Sequence, residues 1–172
     1  MRRIAAILGS IIFFFVAPFT IAGVIPWLIT DWQVRYPAFA NPAAQAAGAA
    51  IAALGTLFLV DSFARFALTG LGTPAPVFPT KHLVVNGLYR YVRNPMYVGV
   101  VAAILGQALI FASPGLLIYA VIIWVAFNIF VAGYEEPTLR ETFGDEYDEF
   151  CRNVRRWIPR LTPWRGSSAI HS

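Results

Sequence analysis

The run Gly87-Leu-Tyr-Arg-Tyr-Val-Arg-Asn-Pro-Met-Tyr-Val-Gly99 gathers two arginines, three tyrosines and an asparagine directly before an apolar helix that would open at Pro95. Free backbone N–H groups at a helix start suit an anion, and Arg90 and Arg93 add donors beside them. A second cluster, Glu135 and Glu136, closes a later apolar run. Adjacent carboxylates at a helix C-terminus are disfavoured by the helix dipole and by each other, so they require a positive partner, either a protein arginine or a cationic ligand. Within the apolar run Ala43 to Leu68, helix 2 in chain order, Asp61 and Arg65 stand four positions apart and form a pair on one face. Composition alone also allows a plainer reading, in which Tyr89, Arg90, Tyr91 and Arg93 are an aromatic and basic belt at a membrane interface. Cys151 is the single cysteine and His82 and His171 are the only histidines, so no disulfide and no structural zinc site is expected.

The elements that must carry these residues are apolar runs of membrane length: Ile4 to Ile29, Ala43 to Leu68, Pro95 to Phe111 and Pro114 to Tyr134. With 58% hydrophobic and 13% charged residues, the chain lies outside the balance of a soluble domain. The expected fold is all-α: a polytopic membrane protein with four transmembrane helices and a C-terminal amphipathic cytoplasmic segment. Residues 1–164 make one domain and 165–172 a disordered tail. The first run, after Met1-Arg2-Arg3, reads as a retained anchor, bent or cut short at Pro18 and Pro26. The third spans 17 residues, roughly 25 Å, at the short limit for a bilayer core. Asn94-Pro95 and Ser113-Pro114 each supply an N-cap and a first-turn proline, making helices 3 and 4 a tight hairpin. That hairpin returns Glu135 and Glu136 to the face where Arg93 and Asn94 begin.

Four crossings put all of the 13 Lys and Arg residues except Arg35 on one side. By the positive-inside rule that side is cytoplasmic, which makes the chain a multi-pass protein with both termini inside, in the cell membrane if prokaryotic. Gly48, Ala52 and Gly55 in helix 2 read as close helix packing, while Gly99, one turn into helix 3, leaves room for something bulky. After Pro137 the apolar positions Leu139, Phe143, Tyr147, Phe150, Val154 and Trp157 recur at spacings of three and four, giving a surface helix or two short ones hinged at Gly144. Their stripe would lie on the membrane, with Arg152, Arg155, Arg156 and Arg160 near anionic headgroups. Nothing in this pattern suggests nucleic acid.

Three motifs taken together, Gly87 to Gly99, Glu135-Glu-Pro-Thr-Leu-Arg-Glu-Thr-Phe-Gly-Asp-Glu-Tyr147 and Val154-Arg-Arg-Trp-Ile-Pro159, resemble the membrane methyltransferases that include isoprenylcysteine carboxyl methyltransferases and phospholipid N-methyltransferases. The likeness runs from about Thr73 to Pro159. It implies an S-adenosylmethionine site at the cytoplasmic ends of helices 3 and 4, closed by the C-terminal segment and open sideways to lipid, with no metal. By position it implies cofactor contacts at Tyr89, Asn94, Pro95, Tyr97, Gly99, Glu135 and Glu136, and catalytic roles for Arg93, Glu136 and Arg156. Asn94 stands where many relatives have histidine, so an imidazole base is absent there. The acceptor implied is lipophilic and enters from the bilayer. An isoprenylcysteine-type carboxylate is slightly preferred for the surplus of arginines, a phospholipid amine is the alternative, and a non-catalytic membrane assembly protein is the reading from another class.

Overall fold

The computed structural model describes residues 16–34, 36, 40–69, 83 and 85–165, and over 66–69 the backbone only. A π-turn at Thr20–Val24 leads into α1 (Ile25–Thr30), and α2 (Pro42–Thr69), α3 (Pro95–Ile110) and α4 (Pro114–Phe130) follow. A second π-turn, Val131–Glu135, passes α4 directly into α5 (Glu136–Phe143), and α6 (Asp145–Asn153) comes after a break at Gly144. The described chain is all-α. Residues 1–15, Arg35, most of the 70–84 stretch with Lys81 and His82, and the tail from 166 lie outside the described residues.

Among the described residues two helices, not four, are long and apolar enough to cross a membrane: Pro42–Arg65 and the continuous Pro114–Phe143. The expectation of four transmembrane helices is corrected on that count. Pro95 fixes the start of α3, and Ala112 takes a left-handed φ of 48° just past its end. Its 16 residues reach roughly 24 Å, less than a bilayer core of about 30 Å. In the first apolar run the described helix reaches only from Thr20 to Thr30, stopped by Asp31 and Trp32 at φ 51° and 55°. Helix 4, expected to end at Tyr134, instead continues to Phe143. Pro137 has no N–H to give, but it falls in the first turn of α5, behind the widened turn, where that loss is tolerated.

Small residues decide how α2 meets α3. The two run antiparallel, with Gln45 Nε2 donating to the Ile110 carbonyl at 2.9 Å. A β-carbon on Gly55 would stand 2.6 Å from the Gly99 carbonyl oxygen, and one on Gly48 2.6 Å from that of Gly106. The backbones therefore touch, as the small residues of helix 2 predict. Gly55→Leu should lose about 2 to 3 kcal/mol through overpacking, whereas Gly133→Ala, whose added carbon meets nothing within 4 Å, should stay within about 0.5 kcal/mol. Thermal unfolding in detergent checks this, and equal Tm for the two variants contradicts the close approach.

Around this seam Leu59, Phe63, Met96, Val100, Ile104 and Ala120 form the main core. Pro26 leaves carbonyls of the preceding turn without a helical donor. Gln107 Nε2 donates to Ala22 O at 2.7 Å and the Tyr119 hydroxyl to Ile21 O at 3.0 Å, which ties the π-turn before α1 to α3 and α4. The outer faces stay apolar and open, with Leu54, Leu57 and Val60 on α2 and Ile118, Val121, Ile122, Val125 and Ile129 on α4 all exposed. Such faces associate with a membrane.

The C-terminal stripe behaves differently from its expectation. Tyr147, Phe150 and Val154 are buried in a second core with Leu139, Phe143, Trp164, Leu83 and Val85, so they are not spread on the membrane face. The break at Gly144, φ 51°, makes two short helices of it, as expected. Beyond α6 the chain folds back on the segment before α3. Arg93 N donates to Arg155 O (2.9 Å), Arg160 N to Tyr91 O (2.8 Å) and Trp164 N to Arg90 O (2.9 Å).

Candidate active site

Gly87 begins the approach to the site with a left-handed φ of 52°, and any β-carbon there would overlap the Arg65 guanidinium. Arg65 is fixed in turn by Asp61, Nε to Oδ2 at 2.7 Å and Nη2 to Oδ1 at 2.8 Å. The 3-10 turn Gly87–Arg90 thus rests on the end of α2. It buries Tyr89, whose hydroxyl meets Ser62. Burial raises the Tyr89 pKa, and the charges of Glu135 and Asp61 raise it further against that hydrogen bond.

The antiparallel α3 and α4 then bring the basic and acidic motifs together. Glu136 is 8% exposed and takes both Arg156 Nε on Oε1 and Arg156 Nη2 on Oε2, each at 2.7 Å. Arg93 Nη1 stands 3.2 Å from Oε1 of the same carboxylate and also contacts Cys151 Sγ. Two guanidinium groups on one buried carboxylate make a locked nest, and the pairing with Glu136 raises the Arg156 pKa further. Among the described residues Arg93 Nε is buried with no hydrogen-bond partner, a donor without an acceptor.

Glu135 points to a different neighbour. Its Oε2 accepts from the Tyr97 hydroxyl at 2.6 Å. The Tyr97 ring lies 4.6 Å from that of Phe127 and 6.4 Å, edge on, from Trp157. These rings end an apolar groove of 190 Å³ between α3 and α4, walled also by Val98, Val101, Leu105 and Trp124. Trp157 Nε1 donates to Asn128 Oδ1 at 2.9 Å, which pins the C-terminal segment over this groove.

Arg93, Tyr97, Glu135, Glu136 and Arg156 therefore converge. Asn94 occupies the N-cap position of α3 but makes no side-chain cap there; it is buried, and its Nδ2 donates to Arg156 O at 3.3 Å. Pro95 is buried in the first turn of α3. Gly99 packs against Gly55 and Leu59 of α2, so the space beside it is filled by that helix. Trp157, Asn128 and Cys151 were not foreseen as site residues. Trp157 follows Arg156 in the Val154 to Pro159 motif, and that adjacency was the available signal.

The family model for phospholipid methyltransferases matches residues 43–146, which include the α3 and α4 hairpin and both glutamates. Among similar proteins, protein-S-isoprenylcysteine O-methyltransferase of Schizosaccharomyces pombe is 33% identical over 80 residues, covering 46% of this chain and 34% of that protein. Human phosphatidylethanolamine N-methyltransferase is 32% identical over 113 residues, 64% of this chain and 56% of its own. Methanethiol S-methyltransferase 1 of Bradyrhizobium diazoefficiens is 30% identical over 117 residues, 64% and 37%. The chain spans only about a third to two fifths of the isoprenylcysteine methyltransferases it matches. Their names cover oxygen, nitrogen and sulfur acceptors, so likeness alone does not choose among these. The chain belongs to the family of membrane methyltransferases that takes in the phospholipid and isoprenylcysteine enzymes.

Proposed function

We propose that this chain is an S-adenosylmethionine-dependent methyltransferase whose acceptor is a lipophilic molecule drawn from the bilayer. The observation that carries the reading is Tyr97, whose hydroxyl belongs to the charged nest through Glu135 while its ring walls the apolar groove. A charged cofactor site and an apolar acceptor site then share one wall. The residues fit the cofactor's ends: the unpartnered Nε of Arg93 suits a carboxylate, and Glu135 suits an ammonium. S-adenosylmethionine, when bound, supplies an electrophilic methyl group on a cationic sulfonium.

Each residue then has a task of its own. Glu136 is occupied by two arginines, so it holds Arg93 and Arg156 in place instead of meeting a ligand. Arg93 and Glu135 orient the amino acid end, and Tyr97, Phe127 and Trp157 exclude water from the transfer. Methyl transfer needs an acceptor held in line at roughly 3 to 3.5 Å in a dry site. The groove walls Val98, Val101 and Leu105 hold the acceptor's chain. The ends of the two long helices that carry Arg65 and Arg140 face the cytoplasm under the positive-inside rule.

An isoprenylcysteine-type carboxylate acceptor drew support from surplus arginines, and Arg156 and Arg93 both lean on Glu136. A phospholipid amine draws on Glu135, the carboxylate bonded to a residue of the groove wall and the group able to take a proton there. Membranes incubated with radiolabelled S-adenosylmethionine should carry the label into the organic-soluble fraction. Mild alkali then separates the two acceptors, because an ester releases methanol and an N-methyl group stays attached. Label found mainly on water-soluble protein or nucleic acid contradicts a lipophilic acceptor.

A further inference from the structure

Four arginines of the described chain are paired with carboxylates: Arg65 with Asp61, Arg93 and Arg156 with Glu136, and Arg140 with Asp148. Arg152, Arg155 and Arg160 are not, among the described residues. All three line one cleft of 620 Å³ on the segment that follows α6, together with Asn153, Pro159 and Leu161. Arg160 Nη1 donates to the Asn153 carbonyl, which holds its guanidinium at the cleft, and Arg152 and Arg155 are exposed. Nothing in the charged nest uses them, since Arg155 contributes only its carbonyl, to Arg93 N.

Apolar side chains stand in the same segment. Leu161 is 101% exposed and Ile158 61%, although the backbone bonds to residues 90–93 hold this stretch in one shape. A fixed loop that presents a leucine wholly to the outside, among unpaired arginines, is suited to an interface with an apolar side and an anionic side. Its position says which interface. Trp157, one residue before Ile158, is bonded to Asn128 on α4, beside the exposed apolar belt of Val125 and Ile129. Ile158 and Leu161 thus follow directly on a residue tethered to α4, and Arg155 and Arg160 flank them in the chain.

We propose that the Arg152, Arg155 and Arg160 cleft is a docking site for the phosphate of an anionic membrane lipid, with Ile158 and Leu161 entering the acyl region beside it. Basic residues at a membrane surface attract anionic lipid by ~1 kcal/mol each, or about fivefold per arginine. The site is separate from methyl transfer, so its test needs no turnover.

The full chain, purified in detergent, is mixed with equal amounts of phosphatidylglycerol and phosphatidylcholine, and the lipid it retains is counted by native mass spectrometry. The expected result is a preference for phosphatidylglycerol on the order of a hundredfold, falling to about fivefold in the Arg152→Gln, Arg155→Gln double variant, which keeps Arg160. Ile158→Ser with Leu161→Ser should lower retention of both lipids and keep the preference. Equal retention of the two lipids by the unsubstituted chain overturns the proposal without recourse to any variant, as does a preference undiminished by the double substitution. Loss of bound phosphatidylglycerol to millimolar inorganic phosphate also overturns it, since the cleft would then be a site for free phosphate.

Discussion

Replacing Glu136 with alanine should cost about 3 kcal/mol of stability and remove methyl transfer altogether. The carboxylate is 10% exposed at its side chain, and it balances Arg93 at 13% and Arg156 at 34%. Removing it leaves two guanidinium charges in a poorly solvated nest. A broken buried pair costs roughly 3 to 5 kcal/mol, and the partial exposure of Arg156 argues for the lower end. Arg156→Ala should be milder, because Arg93 remains on Glu136 and the lost group was partly solvated. Thermal unfolding of both variants in detergent tests the ranking. A Glu136→Ala protein as stable as the parent would mean that the nest is not held by this carboxylate.

Glu135→Ala should leave stability nearly intact yet weaken S-adenosylmethionine binding at least tenfold, or about 1.4 kcal/mol. Here the lost group is the proposed ammonium partner, and among the described residues its side chain takes one hydrogen bond, from Tyr97. Tyr97→Phe removes that bond and keeps the ring on the groove, so it should weaken binding less than Glu135→Ala does. Calorimetric titration reads both. Equal affinity for parent and Glu135→Ala would move the ammonium site elsewhere, whereas a collapse of stability would make Glu135 a structural residue like Glu136.

The meeting of Arg93 with the glutamates was legible in sequence because two prolines and a short loop require α3 and α4 to be antiparallel, whatever their depth in a membrane. The packing of Gly48 and Gly55 was legible for a similar reason, since small residues at helical spacing have few other uses in an apolar helix. The number of crossings was not. The hairpin turn at Ala112 lies where Ser113-Pro114 puts it, but apolar composition does not report where the other helices are interrupted or extended, and the left-handed Asp31 and Trp32 and the π-turns decide that by backbone geometry. Asn94 illustrates a second limit: its type suits a cap, yet the Arg156 carbonyl, brought in from 62 positions away, takes its amide. Trp157 illustrates a third. It continues the spacing of the Tyr147 stripe, but α6 ends at Asn153, and the chain then carries the indole to Asn128.

S-adenosylmethionine is proposed to bind at Arg93 and Glu135, in the nest that Glu136 and Arg156 hold together, beside an apolar groove. Calorimetric titration of the purified, unsubstituted chain with S-adenosylmethionine and with its demethylated product tests it most directly. Saturable binding of both is expected, at a Kd in about the micromolar range. No heat and no thermal shift with either compound, from protein that is folded and monodisperse, would contradict it and leave a membrane protein that keeps the family's fold without its cofactor.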